Sequence, residues 1–175
     1  MAADIDQANA IINKFLDYAR PDQVVLVPIV LADIVNRCVH ALMDASDIRL
    51  RIDVAPGLQV LADEVDLLRV ISNLLENARR YGRSSASGIA EVDIIALAKG
   101  SRVAIEVRDR GPGVSSDSLQ QLTKAFYRGD AARTSAIGAG LGLAIVEKNI
   151  QRMGGALVLR NRAAGGLSVR IELNR

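Results

Sequence analysis

Apolar positions along the chain switch between a period of three to four and a period of two, and each switch marks a predicted element. From Met1 to Arg20 the residues Ile5, Ala8, Ile12, Phe15 and Ala19 recur at spacings of three and four, a narrow helical seam that Pro21 ends. Two readings of that seam stand side by side: a helix packed on its own domain, or the tail of a longer helical hairpin or dimer stem. Asp22 and Gln23 read as a linker. Val24–Val27 then predicts a short strand, and Pro28 suits the first turn of a helix carrying Ile29, Ile34, Val35, Val39 and Leu42. Strand patterns follow at Ile48–Val54 and Leu58–Leu61, with Pro56-Gly57 as a turn between them.

Asp63 is a candidate N-cap for a helix running to about Tyr81, whose apolar stripe is Leu67, Ile71, Leu74, Leu75 and Ala78. Ser84–Gly88 reads as a loop. Glu91–Leu97 and Arg102–Val107 flank the turn Lys99-Gly100-Ser101 and form a half-buried hairpin, because Val103, Ile105 and Val107 alternate with Arg102, Ala104 and Glu106. Beyond a loop at Asp109–Val114 the pattern predicts a short helix from about Ser116 to Ala125, and then a long polar stretch from Tyr127 to Gly138. Such a stretch inside a compact domain is a functional lid or is disordered. A helix from about Gly140 to Met153 and a last hairpin, Ala156–Arg160 with Leu167–Leu173, complete the chain. The order predicts an α/β (α+β) two-layer sandwich: a mixed, mostly antiparallel sheet with helices on one face.

Composition narrows the function classes. The 175 residues, half of them apolar, suit one globular domain with a short appendage. Basic and acidic residues number 22 and 20, a formal charge of +2, so no global field announces a polyanion and any phosphate site must be local. With no Trp, three Tyr and two Phe there is little on which to stack bases, which argues against a nucleic-acid partner. One cysteine, Cys38, excludes an internal disulfide and fits a reducing compartment. No run approaches the roughly 20 apolar residues of a membrane helix, and Asp4 and Asp6 are unlike a signal peptide.

Three segments carry candidate chemistry. In the helix after Asp63, the residues Asn73, Asn77, Arg80 and Tyr81 fall at i, i+4, i+7 and i+8 and read as a polar stripe opposite the core. A solvated face is the ordinary explanation, yet such faces favour Lys and Glu, and two Asn a turn apart are poor helix formers. Asparagine offers a neutral carbonyl oxygen to a hard cation such as Mg²⁺, and Arg80 could meet phosphate oxygens. Arg108-Asp109-Arg110-Gly111-Pro112-Gly113 leaves a strand and turns sharply; Asp109 either reads an exocyclic amine such as that of adenine or merely makes an Asx-turn. Gly138-Ala139-Gly140-Leu141-Gly142 runs straight into an apolar helix with Leu143, Ala144, Val146 and Ile150, a geometry that offers backbone N–H groups to phosphate. It is neither a dinucleotide fingerprint, which needs Gly where Leu143 stands and a buried strand before it, nor a P-loop.

In this order and spacing the segments resemble the four ATP-binding boxes of the GHKL superfamily, in its histidine kinase branch: Asn73–Tyr81 the N box, Asp109–Gly113 the G1 box, Phe126-Tyr127-Arg128-Gly129-Asp130 the F box, and Gly138–Gly142 with Leu143-Ala144 the G2 box. The match covers about residues 24–175. Phe126–Arg133, with Asn9–Ile12 and Phe15–Tyr18 near the start, is similar to osmosensor kinases of the EnvZ type, in which that helix closes the dimerisation and phosphoacceptor hairpin. The resemblance implies a Bergerat sandwich binding ATP with Mg²⁺, Asn77 as metal ligand, Asp109 on the adenine amine, and a mobile lid holding Arg128, Gly129 and Arg133. It also implies a full-length homodimer anchored in the bacterial inner membrane with this domain cytoplasmic. Its partners would be its own phosphoacceptor domain and an OmpR-like receiver domain of a response regulator. Superfamily ATPases carry a Glu one turn before the metal-binding Asn; here that position is Asn73, so the expectation is a phosphotransferase, not a hydrolase. The sole histidine, His40, lacks the acceptor motif and reads as structural or surface-exposed, so this chain carries no catalytic phosphoacceptor and is expected not to autophosphorylate alone.

Overall fold

The computed structural model describes residues 12, 13, 16, 23–42, 45–127 and 140–175. In chain order its elements are β1 (Val27–Val30), α1 (Leu31–His40), β2 (Ile48–Asp53), β3 (Gln59–Ala62), α2 (Glu64–Tyr81), β4 (Ala90–Lys99), β5 (Arg102–Arg108), α3 (Ser116–Leu119), α4 (Gly142–Arg152), β6 (Ala156–Asn161) and β7 (Leu167–Asn174). Five strands form one sheet in the order β2-β4-β5-β7-β6. Only the β2–β4 pair is parallel; the other three pairings are antiparallel. The expected mixed, mostly antiparallel sheet is therefore present. β1 and β3 form a separate antiparallel pair.

Period-two alternation gives the sheet two unlike faces. Val103, Ile105 and Val107 of β5 are buried and stand in register with Leu173, Ile171 and Val169 of β7. Between them, the outward positions carry paired charges: Arg108 with Glu106 (2.6 Å), Arg170 with Glu172 (2.7 Å) and Arg110 with Asp93 (3.0 Å). The apolar face takes the helices. α2 presents Leu67, Val70, Ile71, Leu74, Leu75 and Ala78 to the core, none more than 5% exposed. Each large aliphatic side chain so buried stabilises by about 2 kcal/mol. Asp63 caps α2 as its sequence position predicts, its Oδ1 accepting from the Val65 and Asp66 N–H groups at 3.1 Å each. Among the described residues no helix is long and apolar enough to cross a membrane.

The structure revises several boundaries. Pro28 does not start a helix; it lies inside β1, paired with Leu61, and α1 begins only at Leu31. A two-stranded pair leaves one edge of β1 open, and there a residue without an N–H loses no ladder bond. The helix read over Ser116–Ala125 is one turn, Ser116–Leu119, capped by Ser115 and followed by turns. α4 starts at Gly142, not Gly140, because Gly140 has a φ of 66° and cannot continue a right-handed helix. Of the N-terminal segment, Ile12, Asn13 and Leu16 are helical, and the rest of that expectation lies outside the described residues.

Candidate functional site

Helix α2 is the spine of the site. The residues Asn73 and Asn77 do not stand opposite the core stripe as the sequence pattern suggested; they lie half-buried at its edge, where α4 begins. A Cβ added to Gly142 would come within 3.0 Å of Asn77 Oδ1 and 3.5 Å of Asn73 Oδ1. Glycine at that position thus lets the start of α4 sit directly on the two asparagines. Asn73 is oriented by its own helix, its Nδ2 donating to the Arg69 carbonyl at 2.9 Å, which leaves Oδ1 toward Gly142. α4 has no side-chain cap and no acidic residue in its first turn. Its leading N–H groups and the positive end of its dipole therefore suit an anion beside Asn77.

Toward the end of α2 the backbone reaches the second part of the site. Gly82 follows Tyr81 and is packed against Asp109, where a Cβ would stand 2.5 Å from Asp109 Cβ. A Cβ on Gly111 would stand 2.6 Å from Gly82 Cα and 2.9 Å from the Tyr81 carbonyl. Asp109 is 8% exposed. Its Oδ1 accepts from the Gly111 N–H at 2.9 Å and the Leu167 N–H at 3.0 Å. Among the described residues no hydrogen bond reaches Oδ2, so that oxygen is the one left for a ligand donor. Burial pushes the Asp109 carboxyl above its ordinary value, against the opposing effects of the two backbone N–H groups and the nearby Arg162. The Asx-turn reading and the ligand reading are thus compatible: one oxygen makes the turn, the other faces away from it. Gly82 follows Asn77 by five residues, roughly 7.5 Å along the helix axis, so one rigid element sets the spacing of both parts.

Other predicted residues take their places around this spine. Gly113 (φ 72°) turns the loop beside Asn161, whose side chain clamps Val114 through its N–H (3.0 Å) and its carbonyl (2.7 Å). Phe126 is 63% exposed and has a φ of 65°, and its N–H donates to the Gly140 carbonyl at 3.0 Å. A left-handed Phe costs about 1 kcal/mol and persists because this bond fastens it to Gly140. Leu141 is buried and precedes α4. Arg80 is held by Glu76 (Nε to Oε1, 2.6 Å), and both border a cleft of about 370 Å³ between α1 and α2, together with Cys38, Ser72 and Asn73. Arg128, Gly129, Arg133, Gly138 and Ala139 lie outside the described residues. His40 ends α1 on the exposed surface.

Sequence reasoning missed Asn161, Arg162, Gly82 and Gly166. Gly166 packs directly on the Asp109 carbonyl, and Arg162 Nη1 donates to that same oxygen. Their only signal was Gly165-Gly166 in a hairpin turn, which explains itself without a site.

An asparagine pair, an uncapped helix start and a buried carboxylate thus meet along α2. Residues 62–175 match the family described as histidine kinase-, DNA gyrase B-, and HSP90-like ATPase. The chain belongs to this family. It is 33% identical over 167 residues to the signal transduction histidine-protein kinase/phosphatase MprB of Mycolicibacterium paratuberculosis, covering 94% of this chain and 31% of that protein. The solved mycobacterial MprB structure superposes with a TM-score of 0.74 at 27% identity, over 85% of this chain and 97% of that one. Full-length ShkA in complex with AMPPNP gives 0.75 at 26% identity, over 94% and 35%. The kinase domain of the Escherichia coli osmosensor EnvZ gives 0.61 at 25% identity, over 87% and 90%. The chain spans about a third of the length of the curated relatives it matches.

Proposed function

We propose that residues 24–175 are the ATP-binding catalytic domain of a two-component sensor histidine kinase, and that residues 1–20 are the end of its dimerisation and phosphoacceptor hairpin. In the intact homodimer the γ-phosphoryl of ATP passes to a histidine nitrogen of that hairpin, ADP leaves, and an aspartate of an OmpR-like receiver domain takes the group in turn. The whole protein is anchored in the inner membrane with this domain in the cytoplasm. The observation that carries the reading is the meeting of Asn73 and Asn77 with the uncapped start of α4 at Gly142, on the same helix that ends against Asp109.

The residues fit the ligands the reading needs. Asp109 Oδ2 accepts from the adenine amine, the N–H groups of α4 take phosphate oxygens, and Asn77 Oδ1 is the protein's ligand to Mg²⁺. A bound Mg²⁺ neutralises the charge that the phosphates bring to one place. Arg80, Phe126, Tyr81 and the lid residues Arg128, Gly129 and Arg133 complete the nucleotide's surroundings, with Gly111, Gly113, Gly138, Ala139, Gly140 and Leu141 as the backbone that lets it approach. The kinase reading is favoured over hydrolysis by what stands a turn before Asn77: Asn73, which carries no base, while the Glu76 carboxylate is occupied by Arg80. ShkA, a structural neighbour, is in complex with AMPPNP, a nucleotide of the same class.

Calorimetric titration with Mg-ATP tests the assignment. Wild type should bind, Asn77→Ala should bind about tenfold more weakly or worse, a loss of about 1.4 kcal/mol, and EDTA should remove most of the difference between them. Equal affinities in the presence of Mg²⁺ would sink the metal assignment. The chain alone should form no phosphohistidine.

A further inference from the structure

The ends of α4 are both engaged. Its start, Gly142, rests on Asn77, and the side chain of its last residue, Arg152, packs against the opposite end of α2. The Arg152 side chain is 7% exposed and its Nη1 lies 3.2 Å from Oδ2 of Asp66, a carboxylate whose side chain is 1% exposed. Arg69 Nη1 stands 3.7 Å from the other oxygen of Asp66, and Arg152 Nη1 also donates to Asn149 Oδ1 at 3.4 Å. α4 therefore lies antiparallel along α2 with a polar lock at one end and the nucleotide edge at the other. The second arm of Arg152 leaves the helix pair: Nη2 donates to the carbonyl of Gln23, in the segment that precedes β1. Two residues on, the Val25 N–H donates to Asp63 Oδ2, the α2 cap, at 3.3 Å.

We propose that Arg152 is a positioning residue that joins the linker at Gln23–Val25 to the nucleotide site, fixing the register of α4 on α2 and so the placement of Gly142 against Asn77. A buried ion pair is weak evidence for stability but a good register device, because breaking it strands a charge and few other registers satisfy it. An eleven-residue helix is stiff enough to carry a displacement of Arg152 to Gly142. The coupling is reciprocal: whatever moves the linker alters nucleotide affinity, and nucleotide binding tightens the linker by the same factor. The proposal rests on the nucleotide reading above.

The test uses the full chain, Mg-AMPPNP and amide hydrogen exchange read at Val25. In wild type, saturating Mg-AMPPNP should slow Val25 exchange about threefold or more. Arg152→Lys keeps a charge for Asp66 but gives up the second arm, and it should abolish that response while weakening binding about threefold to tenfold. Val25→Pro, at an exposed position, removes the N–H to Asp63 and fixes φ in the linker; it should weaken Mg-AMPPNP binding about threefold with the melting temperature unchanged, which a merely structural role would not do. Saturable binding in wild type with no change at Val25, or an undiminished response in Arg152→Lys, overturns the linkage and leaves the nucleotide reading intact. Absence of Mg-AMPPNP binding in wild type overturns both. Should Arg152→Lys fail to fold, unchanged affinity in Val25→Pro is sufficient to overturn the linkage.

Discussion

At the Asp109 end of the site each backbone neighbour is fixed, whereas at the Asn77 end the polar groups are only half-buried. Asp109 is enclosed by Gly82, Gly111 and Gly166, with two N–H groups on one oxygen, so its free oxygen points one way only. Around Asn77 there are asparagine amides and uncapped N–H groups of a helix start, and Gly142 is partly exposed. On the proposed function the difference answers to two tasks. Reading a neutral base requires one desolvated acceptor held still, since a loose acceptor discriminates little. Holding polyphosphate requires charge neutralisation, which a bound cation and backbone dipoles supply without a rigid cage.

Three experiments would break or sharpen that contrast. The largest effect belongs to Gly82→Val, because its first added atom already overlaps Asp109 Cβ and the Ala78 carbonyl. It should cost about 3 kcal/mol of stability, read as a lower midpoint in urea, while the same change in the exposed turn residue Gly57, which has open space around it, should cost far less. Next comes Asp109→Asn. Its oxygen keeps both backbone N–H groups, so the NH₂ must take the place of Oδ2 and face the adenine amine donor to donor. Affinity for ATP should fall about a hundredfold, or about 2.7 kcal/mol, with little change in melting temperature; discrimination of ATP from GTP should collapse with it. An unchanged preference for ATP would remove Asp109 from base recognition.

The smallest effect is in pH. Because burial raises the Asp109 pKa, the folded protein holds this proton more tightly than the unfolded chain does. Between the ordinary carboxyl value and the raised one, this group therefore favours folding as pH falls, and that contribution is lost as pH rises through the raised value. Binding should run the other way. Oδ1 already accepts two N–H groups, so the proton goes to Oδ2, and nucleotide affinity should drop a few-fold as pH falls through the same range. Asp109→Asn should flatten the affinity profile. Glu106 behaves oppositely in stability: hydrogen bonding from Arg108, first, and from Ser168 holds its pKa below the ordinary value. The stability it contributes is present above that ordinary value and fades as pH falls through the lowered one.

Much of this was legible in the chain. The cap at Asp63, the apolar stripe of α2 and the β4–β5 hairpin follow from short-range rules, because a helix or hairpin states its period and its ends within a few residues. Pro28 misled because a proline starts a helix as readily as it sits on an open strand edge, and only the pairing with Leu61 decides between them. The polar stripe was placed too far from the core for a similar reason: Asn77 is half-buried by α4, an element more than sixty residues later. Nothing local to Asp66, Asn149 or Arg152 announces that they meet.

By itself the sequence determined which elements form, which face of each is apolar, and which residue types were available for a nucleotide: two asparagines on a helix, an aspartate after a strand, glycines before a helix. Those are properties of neighbours along the chain, governed by backbone sterics and side-chain period. Only the tertiary structure decided that α4 lies antiparallel on α2 with Gly142 against Asn77, that glycines from three separate segments close around Asp109, and that Arg152 ties both helices to the linker. Those arrangements depend on which surfaces exclude water together, and that free energy is shared among segments whose separation in sequence sets no distance in space.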